Sequence, residues 1–218
     1  MADKNKVYFG LENLHYAILD PTHEEGSPTW EEPLRIPGAV DLAPDAATNE
    51  YTFYADNGIY YATYSDNGYT ADLETAKFPD TFTAAIFGWL VDGLGGILEV
   101  TDGQHKNFAL MGEITGDIAR RRFVYYNCAG GKPSSTAHTT EENVEVQTQT
   151  MPLTILPLLL PNGRKAAKYA LTRDESNPEI VAAYDDFYKA VYIPTIIAAE
   201  PATLSATSAF SYGMGDKI

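Results

Sequence analysis

Hydrophobic residues along this chain recur mostly at every second position, in short runs broken by glycine, proline and asparagine, the pattern of many strands joined by turns. Residues 7–19 read as a bent first strand, followed by a polar loop over 20–33 that holds three prolines. A second loop is expected over 37–50, rich in Pro and Ala, between an Ile-Pro strand end and Tyr51. The pattern Tyr-x-Asp-Asn-Gly then occurs twice, as Tyr54 to Gly58 and Tyr64 to Gly68. Asn57-Gly58 and Asn67-Gly68 each offer the two positive-φ positions of a type I′ turn, so each is expected to reverse the chain. After the second, Tyr69, Ala71 and Leu73 alternate with Thr70, Asp72 and Glu74, a strand with one buried and one wet face.

A short helix is predicted over 79–88, with Pro79 and Asp80 at its start, Gly88 at its end, and Phe82, Ile86 and Phe87 facing a sheet. Gly93, Gly95 and Gly96 mark a bend, and strands are expected at 97–101, 106–115 and 120–128, the last two joined by Thr115-Gly116-Asp117. Residues 130–142 read as a long polar loop, after which Val144, Val146 and Thr148 alternate with Glu145, Gln147 and Gln149. A third turn at Asn162-Gly163 leads into a strand at 166–172. The clearest helix starts at Asn177-Pro178-Glu179, carries the apolar stripe Ile180, Tyr184, Phe187 and Val191 with Asp185, Asp186 and Lys189 outward, and stops by Pro194. Residues 195–218 are small, polar and Gly-punctuated, as suits an arm.

At 218 residues the chain suits one β-rich domain with long loops, or a domain plus an extension. Its 15 tyrosines favour strands and interfaces over a helical bundle. A formal charge of −15 argues against clinging to nucleic acid or anionic lipid, since phosphate contacts need Lys and Arg. The start of the chain runs straight into strand-like sequence, so cytoplasmic synthesis and folding are expected. The most apolar run, Leu153 to Pro161, is short and interrupted by prolines, which excludes it as a membrane span.

Catalytic and cofactor chemistry finds no constellation. The single cysteine, Cys128, lies in an apolar strand pattern and reads as a buried thiol, without a disulfide partner or a thiolate cluster. His15, His23, His105 and His138 are scattered, with no pair at metal-ligand spacing; His23 and His138 fall in polar loops and are expected to face solvent. Gly93-Leu94-Gly95-Gly96 lacks the third glycine of a dinucleotide loop, and Gly131-Lys132 is followed by Pro133 where a phosphate loop needs Ser or Thr. No cofactor, metal site or enzymatic activity is expected.

Several blocks, in order, resemble the major tail proteins of bacteriophages with long flexible tails. They are Lys6 to Ala17, Ile36 to Val40, Phe53 to Gly58, Gly68 to Glu74, Phe108 to Glu113, Arg121 to Cys128 and Lys132 to Ser134, spanning roughly residues 6–135, with a weaker match through the helix near residue 180. The resemblance implies a β-sandwich or barrel with one or two flanking helices and long loops, here residues 1–194, plus a C-terminal arm over 195–218. It also implies a structural virion protein that self-assembles into stacked rings, usually hexameric. The stack forms a tail tube through which DNA passes without specific binding. Tape-measure, tail terminator and distal tail proteins are the implied partners, and the virion tail, after assembly in the host cytoplasm, the implied location.

On that reading Arg120, Arg121 and Arg122, the only basic cluster, are expected to pair with acidic groups of a neighbouring subunit. Asp72, Glu74, Glu113 and Glu145, on the wetter faces of alternating segments, are candidates for an acidic lumen wall that keeps the duplex off the surface. The loops at 37–50 and 128–142 are expected to become fixed only by contacts between rings. Two alternatives stand beside this. One is a tube or tip component of a phage-derived injection particle or secretion system. The other is a carbohydrate-binding β-sandwich, which would need exposed aromatic platforms, whereas the alternation here puts most aromatics in the core.

Overall fold

A computed structural model describes residues 9–116, 120–135 and 147–195. Its strands are β1 (Leu11–Ile18), β2 (Leu34–Arg35), β3 (Ala39–Ala55), β4 (Gly58–Thr75), β5 (Leu90–Val91), β6 (Ile97–Leu98), β7 (Phe108–Ile114), β8 (Arg121–Gly130), β9 (Ser134–Ser135), β10 (Gln149–Ile155), β11 (Leu158–Leu159), β12 (Lys165–Ala166) and β13 (Lys168–Thr172). Two helices, α1 (Asp80–Phe87) and α2 (Pro178–Asp185), complete a mainly β chain. The principal sheet is antiparallel and runs β2-β1-β7-β8-β10-β4-β3. It branches at β8: residues 121–125 pair with β13, and residues 128–130 pair with β10. The sheet curls until the start of β3 lies beside β1, with Leu11, Ala39 and Leu42 packed on one core.

The centre of the sheet is apolar on both faces, and each face has its own cover. Phe108 and Leu110 of β7, with Phe123, Tyr125 and Cys128 of β8, point into a core closed by α1, β4 and β10. Phe82 of α1 packs at a tilt against Tyr16 at 4.5 Å and meets Phe108 edge-on at 5.2 Å. Burying one such ring contributes about 1.5–3 kcal/mol. Ala109 and Met111, with Val124 and Tyr126, point the other way, under Leu160 and the segment that follows α2. The Tyr126 hydroxyl donates to the Tyr192 carbonyl at 3.0 Å, and Asn162 Nδ2 donates to the Pro194 carbonyl at 3.2 Å, so residues 187–194 are tied down over this face.

Both helices follow their sequence signals. Gly88 closes α1 in the left-handed conformation, φ 66°, and its N–H donates to the Ala84 carbonyl. Asn177 caps α2 by accepting from the Glu179 N–H, with Pro178 in the first turn. Helix α2 ends at Asp185, earlier than the stripe suggests; Tyr184 and Phe187 are buried, and the turns after 185 still carry the apolar positions inward. The expected bend in the first strand is a bulge at Asn13, φ 53°.

Three expectations need correction. The stretch 37–50 is no loop: residues from Ala39 onward form the edge strand β3, in which Leu42 faces inward while Asp41 and Asp45 face out. The first reversal uses Asp56 and Asn57, φ 50° and 64°, rather than Asn57 and Gly58, because Gly58 pairs with Ala55 in the ladder. Short polar side chains make both residues tolerant of the left-handed region. Asn67-Gly68 does not reverse the chain. It is a bulge in β4, two residues set against Ala47, where the pairing steps from Ala46↔Tyr69 to Thr48↔Asp66. The alternating segment expected at 144–149 lies outside the described residues up to 146, and the strand itself begins at Gln149.

Gly68 has φ 95°, and a Cβ there would stand 2.0 Å from the Ile155 carbonyl oxygen, whereas a Cβ on Gly58 would meet nothing within 4 Å. Gly68→Ala is therefore expected to lower the urea unfolding free energy by at least about 2 kcal/mol, and Gly58→Ala by less than about 1 kcal/mol. Equal midpoints for the two variants would show that the bulge imposes no constraint.

Candidate assembly surface

Beyond the bulge, residues 48–66 leave the sheet as a two-stranded ribbon in which β3 and β4, among the described residues, pair only with each other. Eight residues per strand give a projection of about 25 Å. Tyr51, Phe53, Tyr54, Ile59, Tyr60, Tyr61 and Tyr64 are all between 47% and 73% exposed. They occupy both faces: Tyr51 stands opposite Thr63, and Tyr64 stands opposite Glu50, one residue out of phase. These aromatics were expected in the core. An isolated hairpin is marginally stable in water, and an apolar surface of this extent marks a site of association. A smaller apolar projection, the β5–β6 hairpin, carries exposed Leu90, Val91, Leu94 and Leu98.

The outer face of β3, β4 and β10 is acidic. Ala71, Leu73 and Thr75 point into the core, which turns Asp72 and Glu74 outward. The ladder sets Asp41 opposite Glu74, Ala43 opposite Asp72 and Asp45 opposite Thr70. On the other side of β4 stand Thr150, Pro152 and Thr154. This face therefore presents four carboxylates among small residues, with no Lys or Arg in the paired positions. Asp41 and Asp45 were missed because Pro44 and the alanines made their segment read as a loop. The alternation of Asp41, Ala43 and Asp45 about Leu42 was the available signal. Glu74 is half-buried and accepts from the Thr148 hydroxyl. Glu145 lies outside the described residues.

Glu113 does not sit on a wet face; it is 2% exposed. Because both faces of β7 are covered, alternation leaves no wet side at that strand. The cross-strand pairing Glu113↔Arg122 brings Arg122 Nε within 3.0 Å of Glu113 Oε2. The Tyr184 hydroxyl donates to Glu113 Oε1 at 2.9 Å, and Arg122 Nη1 donates to the Tyr184 carbonyl. The guanidinium lies 3.8 Å from the Tyr184 ring centre and 4.7 Å from that of Tyr188. Arg122 thus fastens α2 to the sheet within one chain, where an intersubunit role was expected. Arg120 is exposed with φ 41°, and Arg121 is half-buried at the start of β8, opposite Thr172.

Cys128 is fully buried and burial pushes its thiol pKa up. His15 stacks on Tyr188 at 4.4 Å, and burial lowers its pKa. His105 packs edge-on against Phe87. His23, expected in solvent, is half-buried with Nδ1 2.6 Å from the Asp20 carbonyl; His138 lies outside the described residues. Among the described residues no three His, Cys, Asp or Glu side chains converge as a metal site, and no helix is long and apolar enough to cross a membrane.

Removing one partner of a buried ion pair strands the other, which costs about 3–5 kcal/mol. Glu113→Ala and Arg122→Ala are each expected to destabilise the monomer by that amount. The double substitution should cost clearly less than the two single losses added, read by urea unfolding. Full additivity would mean that the pair is not coupled. Burial raises the phenols of Tyr184 and Tyr169 to about 12, aided by the Glu113 acceptor for the first and by Tyr192 for the second, and also raises Tyr125, Tyr126 and Tyr188. A folded pKa above the unfolded value of about 10 stabilises fully below that pH, and the contribution is lost as pH rises through the folded value. Unfolding free energy is therefore expected to fall between about pH 10 and 12, in step with tyrosinate absorbance; a flat profile across that window would contradict the burial of these rings.

No protein-family model matches this chain, and no curated protein does. Among solved structures it is similar to a chain of the PVC sheath-tube complex of an extracellular contractile injection system in the extended state. The identity is 8% and the TM-score 0.41, over 74% of this chain and 89% of that one. It is similar to the tube-terminating cap of the anti-feeding prophage at 11% identity and TM-score 0.41, over 79% and 97%. The PVC sheath/tube terminator gives 10% identity and TM-score 0.38, over 78% and 99%.

Proposed function

We propose that this chain is a tail-tube subunit, a non-enzymatic structural protein whose copies assemble into stacked rings around a channel. The observation that supports the reading is the β3–β4 ribbon, apolar on both faces and exposed, with no cover among the described residues. A protein of formal charge −15 has no need of seven exposed large apolar residues for solubility. A protein that buries them against other copies does. The ordered sequence blocks supply the family, major tail proteins, and with it the passage of DNA and the tape-measure, terminator and distal tail partners. Residues 195–218 are assigned as an arm serving assembly.

The acidic face of Asp41, Asp45, Asp72 and Glu74 is assigned to the channel wall. A conduit for DNA must not hold it, and carboxylates repel phosphate over about one Debye length, roughly 8–10 Å at ordinary salt. The small neighbours Ala43, Thr150 and Thr154 leave that wall without long side chains to obstruct a duplex.

Concentrated purified protein is expected to form rings or tubes with a central channel in negative-stain images. A protein that stays monomeric and instead binds polysaccharide through its exposed tyrosines would overturn the reading in favour of a carbohydrate module. For the wall, Asp72→Cys in assembled tubes should react with a small maleimide but not with a dextran-linked one. Cys128 is fully buried and does not compete. Labelling by the large reagent would place this face on the outside.

A further inference from the structure

The ribbon has a complementary site on the same chain. Where β1, β3, β8 and β13 meet, a groove of about 650 Å³ opens over Leu11, Leu42 and Phe123, with exposed Phe9 and Val40 and the side chain of Lys168 along its lining. The Lys168 ammonium lies 5.0 Å from the Tyr125 ring centre and 5.9 Å from that of Phe123, on the groove's aromatic side. The ribbon tip presents exposed Tyr54, Ile59 and Tyr60 around the Asp56 turn. Residues 48–66 carry Glu50, Asp56 and Asp66 and no Lys or Arg. The groove's charged lining is Lys168 and Arg121 against Asp41 at its β3 edge, two cations to one carboxylate, so tip and groove match in apolarity and in the sign of their charge.

They cannot meet within one chain. Leu42 in the groove and Tyr54 at the tip belong to the same strand, twelve residues apart, and an extended strand holds them about 40 Å from each other. Resting on the assembly reading above, we propose that the ribbon tip of one copy docks in the β1–β3–β13 groove of a second copy, with Asp56 of the first beside Lys168 of the second. Tip and groove are different surfaces, so the contact is head-to-tail. Each copy offers one tip and one groove, and the contact propagates from copy to copy without limit unless a ring closes.

The test uses the full chain carrying Asp56→Lys, Lys168→Glu, or both, with folding checked by circular dichroism. Because Asp56 holds φ 50°, which lysine tolerates poorly, Asp56→Asn, which tolerates it and removes the charge, is run beside them and should weaken assembly in the same direction. Each single reversal places like charges together and is expected to raise the concentration needed for assembly about tenfold, and the double change to restore it to within about threefold. Separately, Ile59→Cys and Val40→Cys proteins, mixed and oxidised, should give mixed cross-linked dimers. Assembly unaffected by the single changes, or only like-with-like cross-links, overturns this docking while leaving the tube intact. Wild-type protein that does not assemble at all overturns both. Assembly lost in the singles and not regained in the double excludes the Asp56–Lys168 contact.

Discussion

Strands β7 and β8 are covered on both faces, and the rest of the chain is arranged to provide the two covers. Phe108 and Leu110 call for one apolar layer and Ala109 and Met111 for another, so α1 with β4 and β10 closes one side, while β11–β12 and the segment after α2 close the other. Any polar side chain admitted to this pair needs an internal partner, since a buried charge without one is far more costly than the pair itself gains. Glu113 and Arg122 meet that condition across the ladder, and Tyr184 completes it from α2. The same pair therefore joins β7 to β8 and the sheet to its second cover.

With its centre closed on both sides, the sheet leaves its exposed apolar residues, among those described, at the periphery. There it departs from what a self-sufficient domain would do. Strands β3 and β4 run on past the last strand that supports them, and the extension carries aromatic residues where a solvated hairpin would carry polar ones. A two-stranded ribbon buries little of its own surface, so its order as a projecting element depends on what it touches. Tyrosine and phenylalanine suit that role: each gives a large contact area while fixing only two torsions.

The helices and the central strands were legible because their local signals agree with their surroundings: Asn177 and Pro178 at one helix start, Gly88 at the other helix end, and the unbroken apolar run Phe108–Met111. The misreadings arose where one local signal serves two structures. Asn67-Gly68 has the chemistry of a tight turn, and that chemistry serves a bulge equally well; only the pairing of β4 with β10 on one side and β3 on the other decides between them. Pro44 and the alanines made 37–50 resemble a loop, although proline is tolerated on an edge strand such as β3. The alternation at Glu113 was read correctly in phase and wrongly in meaning, because period 2 tells that two faces differ and cannot tell that both are buried. The ribbon tyrosines failed the same inference in reverse: alternation with apolar residues is silent about whether the cover comes from this chain or another.

The distribution of charge explains why aromatic contacts, rather than ion pairs, would have to supply the cohesion of an assembly. Copies of formal charge −15 repel one another as they approach. Of the cations, Arg122 is engaged inside the fold, and Lys132 and Arg173 pair with Glu99 and Glu175 of the same chain. Exposed ion pairs contribute at most about 1 kcal/mol each, too little to set against that repulsion. Burying one tyrosine or isoleucine contributes about as much as two or three such pairs, and does so at any ionic strength. On the proposed tube reading, apolar residues on the ribbon and carboxylates on the β3–β4–β10 face are two halves of one arrangement, in which cohesion would be concentrated at a few contacts and the remaining surface left free to repel.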